Sequence, residues 1–111
     1  MSPAVDVRVL LRLADAAAKR GEMARALSLY EQVADEYEAR GHYLKTVALL
    51  KQILNLGPDR PDLRFRLAEG FIELGLTGDA RGELRRVIAT AAGDRELHDK
   101  ATTRFHALGT K

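Results

Sequence analysis

Apolar residues recur every three or four positions along most of this chain, and short polar or glycine-containing stretches interrupt them. One run follows helical spacing throughout, with apolar side chains at Ala26, Leu27, Tyr30, Val33, Ala34 and Tyr37. A period near 3.6 residues places such side chains on one face of an α-helix. The pattern predicts six amphipathic helices, at about 2–20, 22–40, 42–56, 61–74, 77–91 and 95–108.

Glycine and proline mark the ends of these helices. Ser2 and Pro3 form a typical helix start, with serine as the N-cap and proline at the first helical position. Gly57 and Pro58 end the third helix, because proline cannot continue the hydrogen-bond ladder, and we expect the glycine to take a left-handed cap conformation. Pro61 then opens the fourth helix. Such short turns make consecutive helices antiparallel neighbours, so the sequence predicts an all-α fold.

Two segments of the chain carry the same order of large and small residues. Each position in 61–94 follows its counterpart in 27–60 by one period of about 34 residues. The pattern pairs Tyr30 with Arg64, Val33-Ala34 with Leu67-Ala68, Tyr37 with Phe71, Gly41 with Gly75, Thr46 with Ala80, Leu50 with Leu84, Ile53 with Val87 and Pro58 with Ala92. Large residues fill the space between two helices of a hairpin, small residues allow close crossing, and the glycine makes the turn. Such a period is typical of stacked helical repeats.

This pattern resembles the tetratricopeptide repeat, whose unit of about 34 residues has the same order of large and small positions. The resemblance covers about residues 27 to 94 and is most specific from Val33 to Pro58. The chain departs from the family at Arg64, where an aromatic residue is usual, and at Ala92, where proline is usual. The resemblance implies a right-handed solenoid of antiparallel helix hairpins, with a concave groove that binds peptides or proteins.

The two ends of the chain differ from the repeat. Residues 13–33 also fit the pattern, but the step from Gly21 to Gly41 is much shorter than the step from Gly41 to Gly75. The helix between the first two glycines can therefore be the second helix of one hairpin and the first helix of the next. The last helix has one apolar stripe and one polar face, as a terminal capping helix needs; the stripe comprises Leu97, Ala101, Phe105 and Leu108.

The length of the chain, 111 residues, fits one domain. We predict an N-terminal packing helix of imperfect repeat character over 1–26, repeats over 27–60 and 61–94, and a capping helix over 94–111. Leucine, alanine, arginine and glutamate dominate, and all four are strong helix formers. The ratio of arginine to lysine, together with a single asparagine, points to a bacterial source.

Composition also narrows the class of protein. Cysteine is absent, which excludes a disulfide framework and thiol chemistry. No apolar run reaches the length of about 18 residues that a membrane span needs. Asp6 and Arg8 interrupt the start of the chain, so it does not read as a signal peptide, and the predicted location is the cytoplasm. The net charge of +2 is too small to indicate nucleic-acid binding by itself.

No arrangement of residues predicts catalysis. His98 and His106 lie two helical turns apart, about 12 Å, which is too far for a shared metal without a third element. Gly78 and Gly82 lack the Gly-Lys-Ser/Thr of a phosphate-binding loop and the strand that precedes a dinucleotide fingerprint. The carboxylates pair along helix surfaces instead of meeting in a recognisable cleft. We therefore expect a non-enzymatic protein with no cofactor and no metal.

The resemblance implies a set of groove-facing positions that would bind a partner. The set comprises Glu31, Asp35 and Glu38 in the first repeat and Phe65, Glu69, Ile72 and Glu73 in the second. The acidic residues are three or four positions apart, where like charges repel, and a partner with lysine or arginine would relieve this repulsion. The simpler alternative is a solvated acidic face.

Phe65 and Ile72 are the large apolar members of this set. The register places both off the packing stripe, so we expect them to be exposed between acidic neighbours as an apolar anchor with a charged rim. The alternative is that both pack against a neighbouring hairpin. The predicted function is a non-catalytic adaptor that binds a protein or peptide partner on this concave face, and the acidic residues predict a basic partner.

Self-association through the first helix is the alternative function. This helix has more apolar residues than one covered side can bury; they are Val5, Val7, Val9, Leu10, Leu11 and Leu13. We expect Val7 and Leu11, or a comparable pair, to stay exposed unless a second copy or a partner covers them.

Nucleic-acid binding ranks third. Arg81, Arg85 and Arg86 form a basic edge on the fifth helix, for which a solvated charged face is the simpler account. The spacing of Gly21 and its neighbours also fits a helix-turn-helix motif. The helix after that turn is mostly apolar, which is a poor set for reading base edges.

Overall fold

The computed structural model describes residues 5–109 and contains no strand within them. These residues form six helices: α1 (Val7–Lys19), α2 (Met23–Ala39), α3 (Tyr43–Leu56), α4 (Pro61–Glu73), α5 (Thr77–Thr90) and α6 (Arg95–Leu108). The predicted all-α class is confirmed. Helices α2 to α6 begin and end within about one residue of the predicted bounds, because glycine or proline marks most of their ends.

Helix α1 begins later than predicted. Asp6 is its N-cap, and the carboxylate accepts a hydrogen bond from the backbone N–H of Arg8 at 3.0 Å. Val5 and Asp6 are not helical, so the predicted helix over these residues is wrong. Ser2 and Pro3, the predicted start, lie outside the described residues. Aspartate caps as well as serine does, and it stands directly before the apolar run.

The chain divides into two compact units, one up to Pro58 and one from Asp59 onward. In the first unit α2 packs against both α1 and α3. In the second unit α5 packs against both α4 and α6. The division of residues 1–111 into one domain with its repeats stays a prediction.

Three of the turns have one hydrogen-bond pattern. Gly21, Gly41 and Gly75 have φ angles of +78°, +73° and +76°, in the left-handed region that favours glycine. The amide after each glycine donates to a carbonyl five residues back: Glu22 to Ala17 at 2.9 Å, His42 to Tyr37 at 2.9 Å and Leu76 to Phe71 at 2.8 Å. This is the Schellman motif. The α1–α2 turn therefore has the same construction as the α2–α3 and α4–α5 turns.

The core follows the pattern of large and small positions. Ala34 and Ala68, the small residues of the first helix in each pair, are fully buried, as are Thr46 and Ala80 in the second helix. The Thr46 hydroxyl donates to the carbonyl oxygen of His42 at 2.9 Å, which satisfies a buried polar group within its own helix. Large side chains fill the space between; Val33, Leu50, Leu67, Leu84 and Val87 are almost wholly buried.

Gly57 differs from its expected conformation. Its φ angle is −118°, in the extended region, so the predicted left-handed cap is wrong. A Cβ atom built on Gly57 would lie 2.6 Å from Cδ1 of Leu27, which occupies the space beside the turn. Close approach of the α2 side chain therefore accounts for this glycine.

Candidate binding cleft

A cleft of about 460 Å³ lies between α4 and α6 in the second unit. Two of its lining residues belong to α4, and the others belong to α6; they are Phe65, Glu69, Glu96, Asp99, Lys100, Thr103 and Arg104. The α6 members follow the spacing i, i+3, i+4, i+7 and i+8, which places them on one helix face. The second helix of the unit, α5, contributes no lining residue.

Phe65 forms the floor of this cleft. It is only 6% exposed and packs in a cluster with Ala68, Leu84 and Ala101. The Nζ atom of Lys100 lies 5.2 Å from the centre of its ring, within the range of a cation–π interaction. The expected exposure of Phe65 is therefore wrong, since the ring packs with residues of α4, α5 and α6 in its own unit. Ala101 of the apolar stripe on α6 belongs to the same cluster, and the repeat register of α4 alone does not reveal this.

Glu69 stands at the rim and pairs across the cleft. Its carboxylate accepts a hydrogen bond from Arg104 at 3.1 Å, and both side chains are about half exposed, at 43% and 48%. A pair this exposed contributes at most about 1 kcal/mol to stability. Arg104 relieves the repulsion expected between Glu69 and Glu73, so that repulsion is a weaker argument for a basic partner.

The other predicted site residues lie elsewhere. Ile72 is half-buried on α4 and Glu73 is exposed, and neither lines the cleft. Glu31, Asp35 and Glu38 lie on α2 in the first unit, Glu31 half-buried and the other two exposed. Their part in binding stays a prediction.

The structure brings Phe65 and Glu69 together with five α6 residues that the sequence analysis did not select. Their spacing along the polar face of the capping helix is the signal that could have found them.

Arg64 holds α4 in place beside the cleft. Its guanidinium donates to Asp59 in the preceding turn and to Glu83 on α5, both at 2.8 Å. Its side chain is 15% exposed and that of Glu83 is 17% exposed, so this pair is largely removed from water. Burial alone would lower the pKa of Arg64, but the two carboxylates more than offset it and raise that pKa. An ion-pair network thus stands where the family usually has an aromatic residue.

Tyr30 occupies the equivalent position in the first unit and is 3% exposed. Its hydroxyl donates a hydrogen bond to Asp15 on α1. Burial, reinforced by the hydrogen bond and the charge of Asp15, raises the pKa of Tyr30 to about 12, against an opposing hydrogen bond from Gln52 on α3. Tyr30 therefore links α2 to the helices on either side of it.

An apolar stripe remains exposed on α1 and just before its first residue. Val5, Val9 and Leu13 are spaced by four residues and are 41%, 40% and 44% exposed. Val7 and Leu11 are half-buried. The expected exposed pair is therefore Val9 and Leu13, because the helix turns Val7 and Leu11 partly towards the core of the unit.

Two classes of site are absent from the described residues. Within 5–109, no group of three or more His, Cys, Asp or Glu side chains is placed to hold a metal ion. No helix in the same range has the length and apolarity needed to cross a membrane.

Comparison with known proteins identifies the repeat. The family model for the tetratricopeptide repeat matches residues 37–103. No curated protein sequence matches the chain.

Solved structures share the fold across almost the whole chain. A T3SS complex from Aeromonas hydrophila has 16% identity and a TM-score of 0.66, over 94% of this chain and 81% of that chain. The Yersinia enterocolitica secretion chaperone SycD, in complex with a peptide of the translocator YopD, has 17% identity and a TM-score of 0.61, over 92% and 91%. PcrH in complex with the chaperone binding region of PopD has 15% identity and a TM-score of 0.62, over 97% and 96%. At these identities the likeness shows the fold alone.

Proposed function

The chain belongs to the tetratricopeptide repeat family, and we propose that it is a non-catalytic adaptor that binds a peptide segment of a protein partner between α4 and α6. The cleft with Phe65 at its floor is the observation that carries this proposal. The solved structures of SycD and PcrH with peptides of YopD and PopD support the class of ligand. The chaperone SycD comes from a bacterium, which supports a bacterial source. A cytoplasmic location is part of the same proposal.

The chemistry of the cleft suits one apolar side chain with a polar neighbour. The Phe65 ring offers an aromatic surface, and the flexible Lys100 side chain lies over it. An incoming apolar side chain would displace Lys100 from the ring and bury itself against the floor. Three carboxylates and two cations surround this point, so the rim can pair with a residue of either charge. A basic partner, as the sequence predicts, would use Glu96 and Asp99.

A variant that fills the cleft tests the proposal. Peptides selected from a display library against the wild-type chain supply the ligands. Thr103 is exposed on α6 and lines the cleft, so Thr103→Trp should fill it without entering the core. We expect the affinity of the selected peptides to fall by about tenfold or more, since the tryptophan excludes the anchor side chain.

The control for this experiment is Ser28→Trp, at an exposed position of α2 that does not line the cleft. It should leave the affinity unchanged. Equal affinity of the peptides for both variants, or a library that yields no binder, would reject the cleft as the binding site.

Self-association is a second candidate function, and the exposed stripe on α1 favours it. Val5, Val9 and Leu13 would become buried if two copies paired through this helix. One SycD structure of the same fold is described as an alternative dimer. Leu13→Glu should convert a dimer to a monomer by light scattering after size exclusion. Leu44→Glu is the matched control, because Leu44 is 70% exposed on α3 and lies off the stripe. A wild-type chain that is monomeric at every concentration would remove this candidate.

A further inference from the structure

Two arginines of α5 converge on one aromatic ring of α6. The guanidinium carbons of Arg81 and Arg85 lie 5.3 Å and 5.4 Å from the centre of the Phe105 ring. The arginines are four residues apart, so they occupy adjacent turns of one helix face. Both guanidinium groups lie within the range of a cation–π interaction with the ring, and Arg85 is exposed to solvent, so its N–H groups remain available as donors.

Neither arginine has a carboxylate partner among residues 5–109. Two other arginines that contact a neighbouring helix do have one: Arg64 pairs with Asp59 and Glu83, and Arg104 pairs with Glu69. In addition, Nε of Arg81 is buried and makes no hydrogen bond within the described part of the chain. A buried donor without an acceptor costs free energy, and no carboxylate of the described residues offsets that cost for Arg81.

Residues with small or absent side chains lie beside these arginines on the surface of α5. Gly82 lies inside α5, where glycine costs about 1 kcal/mol relative to alanine. No atom lies within 4 Å of a Cβ built on Gly78 or on Gly82, so packing within this protein does not require either glycine. Together with Ala89, they lie on the same helix face as Arg85, at the spacing i, i+4, i+7 and i+11. An extended peptide backbone can approach the helix closely along this track.

We propose that Arg81, Arg85 and Phe105 form a binding site for an acidic peptide segment of a protein. A glutamate or aspartate side chain is held between the two guanidinium groups, and the peptide backbone runs over Gly78 and Gly82. Carboxylate oxygens match the guanidinium fork in two parallel hydrogen bonds. The charge of the chain favours a peptide over a nucleic acid, because a phosphate backbone needs a longer row of cations than two arginines in a protein of net charge +2.

This arginine site is separate from the cleft. Helical geometry of about 100° per residue places Phe105 on the face of α6 opposite the middle of the cleft-lining set. A ligand in one site therefore does not require a ligand in the other. A result at the arginine site leaves the cleft proposal untouched, and the Thr103→Trp variant should bind an acidic peptide as the wild type does.

A fluorescein-labelled peptide of alternating glutamate and glycine tests the site by fluorescence anisotropy. Two comparison ligands are measured in the same way. They are the same peptide with glutamine in place of glutamate, and an oligouridylate of similar length. We expect the glutamate peptide to bind the wild type, and Arg81→Gln and Arg85→Gln each to weaken binding about tenfold, as loss of a charge-assisted hydrogen bond does. The matched control is Arg86→Gln, which removes the same charge from an exposed position of the same helix and should have little effect.

Gly82→Leu provides a second variant that does not depend on the arginines. Leucine is a better helix former than glycine, so the melting temperature should rise while the side chain blocks the track and binding is lost. In nuclear magnetic resonance spectra, the Nε–Hε signal of Arg81 should shift as the glutamate peptide is added.

Four outcomes overturn the assignment. They are absence of binding by the glutamate peptide, equal binding by the glutamine peptide, equal weakening by Arg86→Gln, and unchanged binding to Gly82→Leu. Tighter binding of oligouridylate that is lost in Arg81→Gln would instead make this a nucleic-acid site and reject the acidic peptide as its ligand.

Discussion

The two units place different chemistry at one position of the same repeat. Tyr30 and Arg64 lie one repeat period apart and occupy equivalent places on α2 and α4. In the first unit the tyrosine hydroxyl bonds to Asp15 on the helix before it, and Gln52 reaches it from the helix after it. In the second unit Arg64 bonds to Asp59 in the turn and Glu83 on α5. The backbone turns at Gly41 and Gly75 are nevertheless the same.

The difference shows that the small residues and the turn glycines determine the backbone, whereas the large position can change its chemistry. Each solution needs its own partners. Glu83 in the second unit corresponds to Leu49 in the first, which is 6% exposed and apolar. Where the first unit has tyrosine it has an apolar residue at the position of Glu83, and where the second unit has arginine it has a half-buried acid there. Exchanging one residue without the other should be costly.

The largest expected effect comes from the part that the units share. Leu50 and Leu84 are equivalent and both fully buried. Leu50→Ala and Leu84→Ala should each lower the free energy of unfolding by about 2 to 5 kcal/mol, because each leaves a cavity in a packed core. Urea unfolding followed by circular dichroism measures both. If one of the two variants is as stable as the wild type, the two cores are not equivalent.

The polar link of the first unit predicts a loss of stability at high pH. The folded pKa of Tyr30, about 12, lies above the ordinary value of 10.0, so folding favours the protonated phenol. The stabilisation is fully present below about pH 10 and is lost as pH rises towards about 12. A shift of this size corresponds to about 2 to 3 kcal/mol.

Tyr30→Phe is the reference for this measurement, because it removes the titrating group and keeps the ring. The wild type should lose stability relative to this variant between those pH values, as measured by urea unfolding. Parallel curves for the two proteins would show that the Tyr30 hydroxyl titrates alike in the folded and unfolded chain.

A pair of changes can convert the second unit to the chemistry of the first. Arg64→Tyr alone should cost about 1 to 3 kcal/mol of unfolding free energy, because it leaves the half-buried Glu83 carboxylate without its partner. Adding Glu83→Leu, which introduces the residue found at position 49, should recover most of this loss. A double variant no more stable than the single one would mean that the position depends on more than its one neighbour.

The smallest effect on stability, and a test of binding, comes from the rim of the cleft. Asp35 and Glu69 are equivalent in the repeat, but only Glu69 lines the cleft. Glu69→Lys should change the free energy of unfolding by less than about 1 kcal/mol. It should lower the affinity of peptides selected for the cleft by about tenfold, since it places lysine beside Arg104. Asp35→Lys should leave their affinity within about threefold of wild type. An equal loss in both would extend the binding surface to α2, as the sequence predicts.

The parts of the fold that local patterns determine could be predicted from the sequence. The turns at Gly21, Gly41 and Gly75 and the start of α4 at Pro61 depend on residues within a few positions of each other. The predicted start of α1 was wrong because the sequence pattern does not show that Asp6 caps this helix. The conformation of Gly57 depends on Leu27, which belongs to the preceding helix.

The candidate site was harder to predict for the same reason. The burial of Phe65 and the charge pairing of Glu69 both depend on α6, which the repeat pattern does not include. The polar face of α6 could be recognised from its spacing, but its position over α4 results from packing of the apolar stripe on α5. Contacts between separate helices decide which polar face becomes the wall of a cleft and which remains in water.

Helix α2, with the same kind of turn at each of its ends, also determines where the chain leaves the first unit. A hairpin of two antiparallel helices returns the chain to the end at which it entered. Because α2 is shared, the unit holds three helices, and the chain enters at one end and departs from the opposite end. One additional glycine turn, placed less than a full repeat before the next, thus makes the chain leave the unit at the end opposite to the one at which it enters. Tetratricopeptide-type sequences with such shortened spacing should therefore be searched for odd numbers of helices. An odd number determines the end of the unit from which a fused segment projects.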